Sequence, residues 1–221
     1  MQPKRFFVPL IILCCLFISI TSIVLVNAGP PATDLASLDK VAGDPLDESS
    51  AAVAATLPLF HRLSESYVRG AQPARGGVGV LTRLGVRAIV DLRSPYDHTE
   101  ETREAAELAG ISYYWLPTSV WDPPTDDEAN RFIDLVSDKS KGPFFVFCAD
   151  GLNRTGEMSA LYRVAVDKWS VEQALKEVDE LGFNPYYYAL RNYVWTYARK
   201  FRPEAVPPGA RGLSASELSS N

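Results

Sequence analysis

The chain reads as an α/β domain: a central, mostly parallel sheet flanked by helices, with a Cys-(x)5-Arg loop between one strand and one helix. Three observations predict it. Short apolar runs alternate with stretches of helical periodicity between about residues 60 and 200, the pattern of strands separated by crossover helices. A length of 221 residues has room for one domain of ordinary size with appendages, not comfortably for two. The stretch Phe144 to Gly156, FFVFCADGLNRTG, reads as a buried strand, a Gly-containing loop and a helix start.

Residues 1–28 precede the domain and read as an export segment. Lys4 and Arg5 make a positive start, and Phe6 to Val26 carry no charge. That run would span about 31 Å as a helix, enough for a bilayer core. Its length favours an uncleaved anchor, while Val26, Asn27 and Ala28 would serve as a cleavage site if it is a signal peptide. Either way the domain is expected outside the cytoplasm, membrane-anchored or released to the periplasm or medium, because Lys4 and Arg5 hold the N-terminus inside. Residues 29–56, rich in Pro, Ala, Ser and Asp, are expected to be a flexible linker.

The domain is expected over residues 57–202. Tyr67–Val68 begin it as a short strand, Gln72–Pro73 turn the chain, and a helix through Leu81 stops at Gly85. Ala88 to Leu92 read as a buried strand. Thr99 to Ala109 follow as a helix closed by Gly110, and Ile111 to Leu116 as a further strand. Thr125 and Glu128 have the spacing of a capping box, opening a helix whose apolar face is Ala129, Phe132, Ile133 and Val136. After the strand Phe144 to Phe147, Met158, Leu161, Tyr162 and Ala165 give the next helix one apolar face. Ser170 and Gln173 cap a helix ending at Gly182, and Tyr186 to Phe201 form the last one. Residues 203–221, with Pro203, Pro207, Pro208 and a Ser-rich end, are expected to be a disordered tail.

Composition narrows the function. A net charge of −5 argues against a general nucleic-acid binder. Cys14 and Cys15 lie in the export segment, which leaves Cys148 as the one cysteine of the domain, with no disulfide framework. With only His61 and His98 in the chain, no His-rich metal site is expected, and no cofactor is expected either. A Cys after an apolar strand is usually a small core hydrophobe. Here, however, Gly151, Arg154 and Thr155 follow it in a strand–loop–helix context, which aims backbone N–H groups and a helix N-terminus at one point. Such a point attracts anions and lowers a thiol's pKa, and Arg154 can close on an anion as a two-pronged clamp.

On Cys148, Gly151, Arg154 and Thr155 the stretch resembles the Cys-based protein tyrosine and dual-specificity phosphatases. The likeness to bacterial dual-specificity members extends through residues 67–73, 88–93 and 154–183. The resemblance implies metal-independent hydrolysis of a phosphomonoester on a phosphorylated protein or small molecule, by a monomer. Cys148 would attack and form a phosphocysteine. The backbone of Ala149, Asp150, Gly151, Leu152, Asn153 and Arg154, with the Arg154 guanidinium, would cradle the phosphate. Thr155 would donate to the sulfur. The general acid of the family lies on the loop before the Cys strand, where Asp122 beside Trp121 is the best match, and Asp150 is its competitor. Asp126 and Asp127 read instead as first-turn acids of a helix.

Two departures bear on this. Phe147 stands where the family has a His, which leaves a phosphate-binding pseudo-phosphatase as a second reading. Asp150 in the loop resembles lipid phosphatases, but Leu152 stands where phosphoinositide-cleaving relatives carry Lys, which disfavours a phosphoinositide or inositol phosphate substrate. Asp91 and Arg93 are read as either a site-edge pair or a surface ion pair, and Tyr186, Tyr187 and Tyr188 as packing at a helix start.

Overall fold

The computed structural model describes residues 50–212 and residue 217. The expected export segment 1–28 and residues 29–49 of the expected linker lie outside them, as does most of the chain after residue 212. Among the described residues no helix is long and apolar enough to cross a membrane.

A five-stranded sheet organises the domain, in the order β1–β2–β5–β3–β4. Its strands are β1 (His61–Arg62), β2 (Tyr67–Ala71), β3 (Ala88–Asp91), β4 (Ser112–Trp115) and β5 (Phe144–Cys148). β2, β5, β3 and β4 run parallel, and β1 adds an antiparallel edge. Parallel neighbours require crossovers, and the helices supply them. α1 (Ser50–Thr56), α2 (Gly77–Arg83) and α3 (Glu100–Leu108) serve one face; α4 (Asp126–Ser137), α5 (Asn153–Ala165), α6 (Val171–Glu180) and α7 (Tyr188–Phe201) serve the other.

Strand periodicity divides the core between the two faces. Phe144, Val146 and Cys148 of β5 pack with α4 to α7, while Phe145 and Phe147 pack with α2 and α3. Both sides of the sheet are therefore covered, which is why β2, β3 and β5 are buried at every position. The two capping boxes form as their spacing predicts, Thr125 with Glu128 and Ser170 with Gln173.

Several expectations are corrected. Residues 50–56 are a helix, not a continuation of the linker; the run is alanine-rich, the best helix former, and Val53 and Leu57 pack against the α2 face. Residues 203–212 are not a disordered tail. Two 3₁₀ turns, Pro203–Ala205 and Pro208–Ala210, bring Ala205, Val206 and Ala210 into the core. α5 has no single apolar face, since Arg154 to Ala165 are all buried. It is the central helix of its layer, contacted by α4, α6 and α7. Asp91 and Arg93 do not form a surface pair: both side chains are fully buried, 2.6 Å apart, with the Tyr113 hydroxyl donating to Asp91. Tyr186 and Tyr188 are exposed rather than packed, and Tyr187 stacks on Trp121.

Candidate active site

β5 lies between β2 and β3, where the chain order along the sheet reverses, so the loop after it opens at the crevice where such sheets bind ligands. Cys148 ends the strand and is 2% exposed. Residues 149–152 then turn directly into α5. Gly151 makes the turn possible with φ at 68°, and a Cβ there would stand 2.4 Å from the Ala71 nitrogen and 2.6 Å from the Gly70 carbonyl carbon. Only glycine fits a left-handed conformation pressed against a strand backbone.

The loop's carbonyls are tied toward β2. The Arg69 Nη2 donates to Gly151 O at 2.7 Å and to Leu152 O at 3.4 Å, and the Gln72 amide donates to Ala149 O at 3.3 Å. Gln72 is thus a loop contact as well as part of a turn. The amides of Asp150, Gly151 and Leu152 donate to no other group among the described residues. Those of Asn153 and Arg154 begin α5, where a helix has no internal acceptor to offer. Free N–H groups, a helix N-terminus and a buried thiol therefore meet at one place, the composition of an anion site.

Arg154 is buried beside this loop. Its Nη2 donates to Asp97 Oδ2 at 2.7 Å, and Nη1 makes only a long 3.5 Å contact to Leu92 O. Asp97 is placed by its own loop, since the Ser94 hydroxyl donates to Oδ1 at 2.6 Å. Burial opposes the charge on Asp97, but the hydrogen bonds from Arg154 and Ser94 outweigh it and hold the carboxyl below its ordinary range.

The other expected residues are placed less closely. The Thr155 hydroxyl is buried without a hydrogen-bond partner, so the expected bond to the Cys148 sulfur is not made; this oxygen in the first turn of α5 meets no acceptor. Asp122 is exposed on the loop between β4 and α4. Its carboxylate accepts from the Ser119 hydroxyl at 3.2 Å, and that same Ser119 oxygen accepts from the Trp121 and Asp122 amides. Asp150 is exposed on the Cys loop itself. Neither acid touches Cys148. Phe147 lies on the opposite face, its ring 5.1 Å from the Arg93 guanidinium and stacked on Phe145. The position of the family's His is thus part of an aromatic and cationic layer.

Beside the Arg154–Asp97 pair a cleft of about 620 Å³ runs between the loops after β3 and β4, walled by Pro95, Tyr96, Pro117, Val120 and Trp121. Tyr96 is fully exposed and Trp121 73% exposed. No Lys or Arg lines it. Among the described residues no group of three or more His, Cys, Asp or Glu could hold a metal ion.

Two residues of this site were missed from the sequence. Arg69 lies just past the expected strand Tyr67–Val68, and a charge inside a run that proves fully buried was the available signal. Asp97 sits in an ordinary polar loop, and nothing in the sequence marks it.

A family model described as a DSP-PTPase phosphatase fused to NAD+ kinase matches residues 30–188. The dual specificity protein phosphatase TpbA of Pseudomonas aeruginosa is 31% identical over 125 residues, covering 56% of this chain and 55% of TpbA. The chain thus spans about half the length of that relative. The crystal structure of P. aeruginosa TpbA shares the fold with a TM-score of 0.55 at 24% identity, over 74% of this chain and 92% of that one. A TpbA variant in complex with phosphotyrosine gives a TM-score of 0.50, also at 24% identity, over 73% of this chain and 88% of that one. The core catalytic domain of the PP-IP phosphatase SIW14 from S. cerevisiae gives 0.56 at 16% identity, over 68% of this chain and 92% of that one.

Proposed function

The chain belongs to the DSP-PTPase phosphatases, and from that membership we propose that it is a metal-independent phosphomonoester hydrolase working through a phosphocysteine. The observation that carries this is the convergence of Cys148, the free amides of residues 150–154 and the Arg154 guanidinium at the end of β5. Cys148 as thiolate attacks the phosphorus in line; the S–P bond forms as the bond to the leaving oxygen breaks. Loop amides and Arg154 stabilise the three equatorial oxygens, and Asp122 gives its proton to the leaving oxygen. Water then attacks the phosphorus, the S–P bond breaks, and phosphate leaves the thiolate. Thr155, whose hydroxyl is free, donates to the sulfur when it carries charge.

The leaving group is aromatic in this reading, and phosphotyrosine is the substrate. The cleft beside Arg154 is walled by Tyr96, Trp121, Pro95 and Pro117, and its one charge, Asp97, is engaged by Arg154. Aromatic and proline walls suit a ring. A polyphosphorylated inositol would need further cations, and none lines the cleft. TpbA, similar in sequence and fold, has been crystallised with phosphotyrosine. The domain works outside the cytoplasm, held at a membrane through residues 1–28, a placement supported by the uncharged run from Phe6 to Val26 and by Lys4 and Arg5 before it.

The test is hydrolysis of p-nitrophenyl phosphate and of a phosphotyrosine peptide by the full chain. We expect turnover that resists chelators, is blocked by vanadate and is lost in Cys148→Ser. Trp121→Ala is expected to raise KM for the peptide about fivefold while vanadate inhibition stays unchanged. A folded protein that binds vanadate but turns over neither compound would make it a phosphate-binding module. For the location, the protein should sediment with membranes and be digested by protease added to intact cells; recovery in the cytosol would exclude it.

A further inference from the structure

Arg69 is a charge without an assigned task. It stands in the middle of β2 and is 1% exposed. No carboxylate pairs with it among the described residues. Nη2 reaches Gly151 O and Leu152 O, while Nε and Nη1 are buried with no partner. A buried cation without a counter-charge is unfavourable, and one that persists in a fold needs an anion close by in the working state.

The surroundings leave few places for that anion. Around Arg69 stand Tyr67 on its own strand, His61 on β1, Glu177 on α6 and Cys148 on β5. Glu177 is engaged, both of its oxygens accepting from Arg163 at 2.5 and 2.8 Å. The Tyr67 hydroxyl shares a hydrogen bond with Ser159, and burial pushes its titration far above neutrality. Burial, then the Arg69 charge, lowers His61 and so disfavours charge on that ring. On the other side Arg154 has Cys148 and Asp150 near it and is paired to Asp97. Phe147, next to Cys148, turns to the opposite face and offers no polar group. What remains for Arg69 is the Cys148 thiolate and an anion held by the loop.

We propose that Arg69 is the positioning residue of the phosphate loop: it pins the Gly151 and Leu152 carbonyls toward β2 so that the loop amides stay free for the anion, with its cation close to Cys148. Arg69 touches no reacting atom and acts through the loop and the thiol. The assignment rests on the phosphatase reading, but it can be tested without turnover. The Arg fork is the means, since it spans two carbonyls while keeping its charge.

The experiment is alkylation of Cys148 by iodoacetamide across about pH 4 to 9 in the full chain, read by mass spectrometry of the Cys148 peptide so that Cys14 and Cys15 do not contribute. Vanadate affinity is measured alongside. In Arg69→Met the alkylation midpoint is expected to rise and vanadate affinity to fall at least about tenfold. In Arg69→Lys the charge is kept and the fork lost, so the midpoint should stay near wild type while vanadate weakens about threefold or more. A purely structural role would lower the reactive fraction without moving the midpoint. An unchanged midpoint in folded Arg69→Met would overturn the proposal; should that variant not fold, wild-type vanadate affinity in Arg69→Lys would overturn it. A wild type with a low midpoint that hydrolyses nothing would defeat the enzyme reading and leave Arg69's role standing.

Discussion

Arg154 Nη2 lies 2.7 Å from Asp97 Oδ2, so one edge of the guanidinium is held by a carboxylate from the loop after β3. The rest of the fork is nearly free, with only the 3.5 Å contact from Nη1 to Leu92 O. A clamp anchored at one edge is already oriented for an anion, and orientation set before binding costs nothing at the moment of reaction.

Asp97→Asn should therefore lower kcat/KM for p-nitrophenyl phosphate about tenfold, with a matching loss of vanadate affinity. The sign of the pH effect follows from the depressed carboxyl. Its contribution to stability is present above the ordinary aspartate value of 3.8 and is lost as pH falls through the lower folded value. Acid unfolding of wild type and variant should converge at the lowest pH, and a constant difference down to that end would contradict it.

Gly151→Ala should cost both folding and activity. The new Cβ would meet the β2 backbone at 2.4 to 2.6 Å, with φ held at 68°. Strained backbone of this kind costs on the order of 1–3 kcal/mol before any clash is counted. Melting and vanadate titration should show a lowered transition and a loop that binds anions at least about tenfold more weakly. A variant with wild-type melting and binding would show that the loop reaches its shape another way.

The acid is decided by leaving groups. Asp122→Ala should slow hydrolysis of alkyl phosphates about a hundredfold, within the range of general acid catalysis, and affect p-nitrophenyl phosphate far less. Asp150→Ala should show no such split. The reverse pattern would transfer the role to Asp150, exposed on the Cys loop.

Glu157 offers a stability test apart from catalysis. It is buried on α5, Oε1 has no partner, and burial raises its carboxyl well above 4.5. A raised acid keeps its proton to higher pH in the fold than in the unfolded chain, so stability falls as pH climbs from 4.5 toward the folded value. Glu157→Gln removes this dependence and should raise the melting temperature at neutral pH by a few degrees, each pKa unit being worth about 1.4 kcal/mol. The gain should disappear below about pH 4.5, and an equal gain at all pH values would rule out titration as its cause.

What the sequence determined by itself was local in cause. The capping boxes Thr125–Glu128 and Ser170–Gln173 join residues three apart, and the strand–loop–helix unit around Cys148 is continuous in the chain. The apolar runs marked β3 and β5 because a strand covered on both faces must be apolar throughout. The tertiary structure alone decided the partners. Arg69 meets Gly151 across 82 positions, and Arg154 meets Asp97 across 57, separations at which no spacing rule applies. It also decided that α5 is buried all round, that residues 50–56 pack as a helix, and that Phe147 turns from the thiol toward Arg93. Such contacts depend on which elements the sheet order β1–β2–β5–β3–β4 brings side by side, and that order is a property of the whole fold.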